Sequence, residues 1–237
     1  MTDYNKFAKF YDEVMGDRSN SVSIIIDFIN THNPKAKSIL ELATGTGALL
    51  KPLSKKYQVS GLDLSQGMLS VAKKNVPKGK FYKKSMVDFV LPEKYDVIMC
   101  LFDSINHLMT FSDWKKLLSS SKKHLNKDGV LIFDVNTNKK FERVVKFTPM
   151  VMKLKKSTMI MDVLDIGKNK TNWNVKVFEH SKSNNYILHE ENIQEIAFPR
   201  ENILKAIKKI FKSVKVVDLD KSHSKKKGER LYFICKP

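Results

Sequence analysis

The stretch Ser38-Ile39-Leu40-Glu41-Leu42-Ala43-Thr44-Gly45-Thr46-Gly47 joins an apolar run to a turn that contains two glycines. The run is typical of a buried strand. Gly45 and Gly47 let the backbone turn sharply and leave room for a ligand beside it. Because a helical pattern over 46–56 follows directly, the stretch predicts a strand, a tight turn and a helix, the first unit of an α/β sheet.

Apolar runs and helical patterns alternate along the chain on both sides of this unit. The alternation predicts an α/β fold with a Rossmann-like, seven-stranded, mostly parallel sheet and helices on both faces. The other predicted strands of this sheet cover 57–62, 80–82, 95–101, 130–135, 214–219 and 231–235. The other predicted helices cover 2–14, 20–31, 65–75 and 112–125, the last two capped by Ser65 and Ser112, and one more begins at Pro199.

The alternation stops after the fifth strand of this series. The β-rich pieces 158–166, 171–180 and 186–196 are separated by turn clusters, which predicts an antiparallel β insertion. We therefore expect a main domain made of residues 1–136 and 199–237, and an antiparallel lid made of residues 137–198. We expect this lid over the carboxyl ends of the parallel strands, where open α/β sheets bind ligands.

The composition is that of a folded chain. Of its 237 residues 42% are apolar and 29% are charged, which excludes a disordered protein. Two cysteines, Cys100 and Cys235, are too few for a disulfide framework or a cysteine-based zinc site. The start MTDYNKFAKF has no signal-peptide pattern and no apolar run is long enough for a membrane span, so a cytoplasmic protein is expected. The scattered histidines 180, 189 and 223 lack ligand spacing, so no metal is predicted.

The formal net charge of +18 is concentrated in two places. Residues 137–156 carry seven basic and one acidic side chain, and residues 205–230 carry ten basic and three acidic ones. Only four of the 43 basic residues are arginine, the residue best suited to bidentate phosphate contacts. A solvated surface is the favoured interpretation, and a patch for an anionic partner stays open.

An acidic residue at the end of the second strand makes the glycine turn a more specific signal for a cofactor site. Asp63 follows Glu41 by 22 positions, and a carboxylate there can accept hydrogen bonds from both hydroxyls of a ribose. The turn and the acid together predict a site for a nucleoside-containing cofactor. The alternative is a tight turn followed by a helix-capping aspartate, since Ser65 and Gly67 come directly after.

The identity of the nucleoside follows from two departures from a dinucleotide site. Leu50 stands where a dinucleotide fingerprint requires a third small residue. Glu41 lies in the turn where a pyrophosphate would need a helix N-terminus without a nearby acid. Both features disfavour NAD and favour S-adenosylmethionine, whose amino group and sulfonium are positively charged.

At this point the sequence resembles a known family. ELATGTG followed by GLDLSQGMLSVA is similar to the first two motifs of class I S-adenosylmethionine-dependent methyltransferases, and KKSMVDF, YDVIMCLFDSINHL and HLNKDGVLIFDVNT continue the match. The FAKFYD start is also similar. The resemblance is greatest to the small-molecule branch with an antiparallel lid after the fifth strand, which includes sugar N,N-dimethyltransferases.

The resemblance implies a role for each matching position. Glu41 would lie near the methionine end of the cofactor, above the backbone of Ala43, Thr44, Gly45 and Gly47. Asp63 would hold the ribose. The adenine would lie between Leu64 and Met68, with Ser85 and Met86 at its polar edge. The remaining cofactor contacts implied are Leu101 and Phe102 at the reactive end and Tyr11 closing over it.

Several departures from the family pattern concern the cofactor site and the substrate side. Ala43 replaces a glycine, and Ser85 stands where an aspartate often binds the adenine amino group. Ile193, Ile196 and Phe198 replace a polar His-x-x-Arg-x-Tyr pattern. The acceptor pocket is therefore expected to be more apolar, or the activity altered.

Three residues are candidates for acting on the acceptor. Methyl transfer from a sulfonium needs alignment more than acid catalysis, and a base is needed only if the acceptor must lose a proton. His107 is the candidate base, because its ordinary pKa of ~6.5 lies near neutrality, and Asp103 and Tyr11 are the further candidates. The alternatives are a core histidine, a helix cap and simple packing, respectively.

Three functions compete on this basis. The favoured one is methyl transfer to a nitrogen or oxygen of a small molecule by a monomer or homodimer (EC 2.1.1.-). An RNA methyltransferase that uses the basic stretches is the second, although a nucleic-acid partner is not favoured. A cofactor-binding protein without activity is the third.

Overall fold

The computed structural model describes residues 8–181, 185–219 and 226–237. Its main sheet has seven strands: β1 (Ser38–Leu42), β2 (Gln58–Asp63), β3 (Lys80–Lys83), β4 (Tyr95–Cys100), β5 (Leu125–Asn136), β10 (Ser213–Val217) and β11 (Arg230–Lys236). Their order is β10-β11-β5-β4-β1-β2-β3. The first five strands are parallel, and β11 is antiparallel to both of its neighbours. The seven-stranded, mostly parallel sheet is confirmed.

This strand order creates a switch point between β1 and β4. The chain leaves β1 toward β2 and β3, and then crosses to β4 on the other side. Loops on the two sides therefore diverge and leave a crevice at the carboxyl ends of the strands. Glu41 and Asp63 lie at this edge, on β1 and β2, and Phe102 follows β4 at the same edge.

Helices cover both faces of the sheet, as predicted. They are α1 (Ala8–Met15), α2 (Ser19–His32), α3 (Leu50–Leu53), α4 (Gln66–Asn75), α5 (Phe111–His124), α6 (Asn138–Lys146) and α7 (Arg200–Ile210). One apolar cluster joins α5 and α7 to the sheet through Trp114, Leu117 and Ile207. A second joins α2 and α3 to the opposite face through Ile25, Ile29 and Leu50.

Local capping decides where two of these helices begin. The Ser65 hydroxyl accepts a hydrogen bond from the Met68 N–H at 3.1 Å, so the predicted cap of α4 is confirmed. The predicted cap Ser112 is wrong. Thr110 caps α5 instead, because its hydroxyl accepts from the Asp113 N–H and donates to the Asp113 carboxylate.

The helix expected over 46–56 is reduced to the four residues of α3. Gly47 has φ +70°, which a right-handed helix does not allow, so the helix begins after it. The helix predicted over 2–14 is observed as α1, and its first residues lie outside the described part of the chain.

The insertion forms a separate antiparallel sheet. Its strands are β6 (Met150–Lys153), β7 (Ser157–Asp165), β8 (Lys170–His180) and β9 (Tyr186–Ile196), paired in chain order. The sequence did not predict β6 or α6, because basic residues interrupt the apolar pattern over 138–153. The boundaries proposed for the two domains stay a prediction.

Helix α1 lies against this second sheet. Phe10 packs in one cluster with Met159 and Val177, together with Val175 and Ile193. The Lys9 ammonium also pairs with the Glu179 carboxylate of β8 at 2.6 Å. The second sheet is therefore attached to the main domain through α1 as well as through its own chain connections.

Candidate active site

The turn after β1 is held in left-handed backbone conformations. Ala43, Gly45 and Gly47 have φ of 53°, 55° and 70°. A side chain on Gly47 would place its Cβ 3.2 Å from the Cβ of Ala72, so the glycine lets the turn approach α4 closely. Ala43 takes the same kind of conformation with a side chain, at a cost of about 1–2 kcal/mol.

Glu41 is buried at the end of β1. Only 5% of its surface is exposed, and its Oε2 accepts a hydrogen bond from the Thr44 hydroxyl at 2.7 Å. Burial raises the pKa of Glu41 to about 8, and the Thr44 hydroxyl and the Arg18 cation offset part of that rise. The carboxyl group therefore holds a proton at neutral pH and is placed to gain from a nearby cation.

Asp63 connects the glycine turn to the start of α4. Its two carboxylate oxygens accept hydrogen bonds from the backbone N–H groups of Gly45 and Ser65, both at 2.8 Å. Burial raises the pKa of Asp63, and these backbone donors act in the opposite direction. The side chain thus holds the turn and also presents a carboxylate to the space beside it.

A cavity of about 90 Å³ opens beside these residues. Nine of the residues predicted for the site line it: Tyr11, Ala43, Gly45, Asp63, Leu64, Met68, Met86, Phe102 and His107. Leu62, Lys84 and Ser104 also line it and were not predicted.

The other predicted residues lie around this cavity without lining it. Leu101 is buried in the apolar core, and the Ser85 hydroxyl accepts a hydrogen bond from the Val87 N–H at 3.2 Å. Thr44 and Gly47 belong to the turn beneath, and Glu41 is bonded to Thr44. The last of them is Asp103, whose carboxylate is bonded to Arg230 and Asn136.

Arg18 is a site residue that the sequence analysis missed. Its guanidinium lies 5.2 Å from the ring centre of Tyr11 and 5.3 Å from that of Phe102. It also forms an ion pair of 3.4 Å with Asp12, whose carboxylate accepts from the Thr46 hydroxyl at 2.6 Å. The available signal was the scarcity of arginine, since lysine supplies nearly all other positive charge.

Tyr11 and His107 are two titratable groups in the cavity wall. Burial raises the pKa of Tyr11 to about 12, and the Arg18 cation counteracts that rise. Burial lowers the pKa of His107, and its Nδ1 lies 3.3 Å from the carbonyl oxygen of Gln194 on β9. A proton on Nδ1 would satisfy this carbonyl and make Nε2 the basic nitrogen.

Comparison with known proteins identifies this architecture. A methyltransferase domain family matches residues 39–129. A crystal structure of an S-adenosylmethionine-dependent methyltransferase from Clostridium acetobutylicum is 26% identical and superposes with a TM-score of 0.84, over 98% of each chain. These matches support a class I S-adenosylmethionine-dependent methyltransferase. Its fold also matches that of DesVI from Streptomyces venezuelae, with a TM-score of 0.77 and 22% identity over 99% of this chain and 97% of that one.

Curated methyltransferases show which branch this chain resembles. A dTDP-3-amino-3,4,6-trideoxy-alpha-D-glucopyranose N,N-dimethyltransferase from Streptomyces venezuelae is 31% identical over 50% of each chain. A dTDP-3-amino-3,6-dideoxy-alpha-D-glucopyranose N,N-dimethyltransferase from Streptomyces fradiae is 31% identical over 56% of this chain and 54% of its own. The chain therefore spans about half the length of the curated relatives it matches.

Two further observations concern alternatives to this assignment. No helix in the described ranges is long and apolar enough to cross a membrane. Among residues 8–181, 185–219 and 226–237, no three His, Cys, Asp or Glu side chains are grouped so that they could hold a metal ion.

Proposed function

We propose that the chain is an enzyme that transfers the methyl group of S-adenosylmethionine to a nitrogen or oxygen of a small molecule. One observation carries the proposal: a buried carboxyl group, Glu41, and a partly buried one, Asp63, flank a glycine turn beside a cavity. A cofactor with two ribose hydroxyls and a cationic amino group matches both of them.

The residues present fit this cofactor. Asp63 would accept the ribose hydroxyls, and Glu41 would face the amino group. Arg18 would pair with the carboxylate, because it is a cation near Glu41 that contacts the cavity-lining rings of Tyr11 and Phe102. The apolar side chains of Leu64 and Met68 would enclose the adenine.

The cofactor supplies an activated methyl group on a sulfonium, with a neutral leaving group. The protein then has to align the acceptor and exclude water, which can contribute about 7–11 kcal/mol. Tyr11 and Phe102 would exclude water at the reactive end, since both line the cavity. His107 would take the proton of an acceptor that must lose one, because burial lowers its pKa and keeps the imidazole neutral near pH 7.

The relatives support an amine as the acceptor. The two curated proteins compared above are N,N-dimethyltransferases of amino sugars. A neutral amine is the nucleophile in such a reaction, so a neutral His107 that can accept its proton suits this class. We therefore propose a small-molecule amine, reached beneath the second sheet. A cytoplasmic location and a monomeric or dimeric state are parts of the same proposal.

Calorimetric titration with S-adenosylmethionine tests the cofactor part of the proposal. We expect saturable binding to the wild-type chain, followed by turnover when amino sugars, other small amines and hydroxyl compounds are supplied. Absence of binding contradicts the proposal. Binding without turnover on any acceptor would favour the cofactor-binding protein, and turnover on RNA with strongly salt-dependent affinity would favour the RNA methyltransferase.

A further inference from the structure

We propose that Arg230 is a positioning residue for methyl transfer. Through Asp103 and Asp134 it holds the loop that carries Phe102, Ser104 and His107 against the cavity. The inference rests on the proposed function for its meaning, but its geometry involves a different part of the fold from Glu41 and Asp63.

The loop begins in an unfavourable backbone conformation. Phe102 and Asp103 have φ of 54° and 53°, two consecutive left-handed residues that both carry side chains. Such conformations persist only where the surroundings hold them. The 3-10 turn Ser104–His107 follows directly. Phe102, Ser104 and His107 line the cavity, so the direction of this loop decides where they lie.

A buried carboxylate and an arginine hold the loop from behind. Asp134, at the end of β5, is fully buried, and its Oδ2 accepts from the backbone N–H of Asp103 at 3.1 Å. The same oxygen lies 3.4 Å from Nε of Arg230. Nη2 of Arg230 donates to Oδ1 of Asp103 at 2.8 Å. One guanidinium therefore ties the side chain of Asp103 to the carboxylate that holds its backbone.

Asp103 is bound on both of its carboxylate oxygens. Arg230 donates to Oδ1, and the side-chain amide of Asn136 donates to Oδ2 at 2.8 Å. Asp103 does not line the cavity. In this proposal Asp103 is therefore a positioning residue, in place of the acceptor-side role that the sequence suggested.

The same group of residues reaches the second sheet. The side-chain amide of Asn106 donates to the carbonyl oxygens of Asn136 and Ile196, both at 2.9 Å. The Asn136 amide lies 3.5 Å from Oε2 of Glu195, a buried residue of β9. The loop after β4 is thus fixed between Arg230 on one side and β9 on the other.

The chemistry of the site requires arginine. Burial raises the pKa of Asp134 to about 6, and the Arg230 cation limits the rise. Nη2 donates to one carboxylate while Nε lies 3.4 Å from the other, and a lysine ammonium lacks this planar two-point geometry. Arg230 is one of only four arginines in a chain with 39 lysines, so a need for this geometry explains its identity.

The test compares Arg230→Lys and Arg230→Gln with the control Arg200→Lys, which changes an exposed arginine at the start of α7. Amide hydrogen exchange is followed by mass spectrometry on peptides that cover 101–108 and 41–47. We expect exchange in 101–108 to accelerate at least about tenfold in both Arg230 variants, as expected when a buried charge pair is broken. Exchange in 41–47 should stay unchanged, and Arg200→Lys should resemble the wild type in both segments.

Turnover provides the second measurement. With an acceptor from the screen above, kcat of Arg230→Lys should fall about 100-fold, the loss that follows from misplacing reacting groups by roughly 1 Å. The affinity for S-adenosylmethionine should change much less, because Asp63 and Glu41 lie on other strands. Unchanged exchange in 101–108 in Arg230→Lys would overturn the inference. Exchange needs no cofactor, so this result is independent of whether the wild type binds S-adenosylmethionine, which tests the proposed function. If Arg230→Gln fails to fold, Arg230→Lys alone decides.

Discussion

Two pairs of carboxyl groups lie at the same edge of the main sheet. One pair has uncharged partners and the other has a charged one. Glu41 and Asp63 accept hydrogen bonds from the Thr44 hydroxyl and from backbone N–H groups. Asp103 accepts a hydrogen bond from the guanidinium of Arg230, and Asp134 forms an ion pair with it. The first pair is stabilised by uncharged donors beside a cavity, and the second by a full positive charge inside the protein.

The difference separates a binding role from a positioning role. A buried carboxyl group without a bonded cation has a raised pKa and gains when a cationic ligand arrives. A carboxyl group already paired with arginine gains nothing further and instead holds the backbone around it. Acidic residues at one edge of the sheet thus have different functions.

The strongest way to break this comparison is Asp63→Ala. The variant loses an acceptor for two ribose hydroxyls, and hydrogen bonds to a charged group contribute about 1.5–3 kcal/mol each, so affinity for S-adenosylmethionine should fall at least about 100-fold. Calorimetry measures the affinity, with Asp27→Ala on the exposed side of α2 as the control. Wild-type affinity in Asp63→Ala would remove Asp63 from the binding pair.

A pH titration of binding sharpens the role of Glu41. Burial raises its pKa from 4.5 to about 8, so the empty site is protonated at neutral pH. A cationic amino group nearby favours the charged carboxylate, and binding should release up to one proton. Between about pH 6 and 7 the affinity should therefore rise by up to about tenfold per pH unit.

Calorimetric titration in two buffers of different ionisation enthalpy measures the number of protons released on binding. Glu41→Gln should show neither the proton nor the pH dependence. Glu41→Gln should also abolish a pH-dependent loss of stability in the ligand-free protein. The folded chain keeps a proton that the unfolded chain releases, so the free energy of unfolding falls as pH rises from 4.5 to about 8. An identical proton release in Glu41→Gln would show that another group titrates.

Arg18→Lys should have the smallest effect of the three. Lysine keeps the charge but loses the planar fork and its contact with the rings of Tyr11 and Phe102. We expect affinity for S-adenosylmethionine to fall about fivefold, equivalent to ~1 kcal/mol. Methylthioadenosine, which has no carboxylate, should bind both proteins equally. If its affinity falls by the same factor, Arg18 acts by packing alone.

The sequence predicted the main sheet well because its central strands β1, β4 and β5 are mostly buried. Such strands appear as nearly continuous apolar runs, as in VLIFDV over 130–135. The prediction from sequence failed where the apolar pattern was weak or where the capping residue lay at another position. Helix α6 buries only Phe141 and Val144 among basic residues, and the cap of α5 lies two positions before the expected serine.

The site was predictable in its local part only. Glu41, the glycine turn and Asp63 are close in sequence, and their pattern carried the cofactor prediction. The pairing of Arg230 with Asp103 spans 127 positions and depends on β11 lying beside β5. No local pattern contains that contact. The roles assigned to individual residues remain predictions until the variants are measured.

Helix α1 has a consequence for how molecules reach the cavity. Three consecutive residues face three different parts of the protein: Phe10 packs in the second sheet, Tyr11 lines the cavity, and Asp12 accepts a hydrogen bond from Thr46 in the glycine turn. We therefore expect a shift of the second sheet to move the part of the cavity wall that Tyr11 forms. We expect the acceptor and the spent cofactor to use the same opening of the cavity, with α1 acting as the hinge. The protein would then open once per turnover for both molecules.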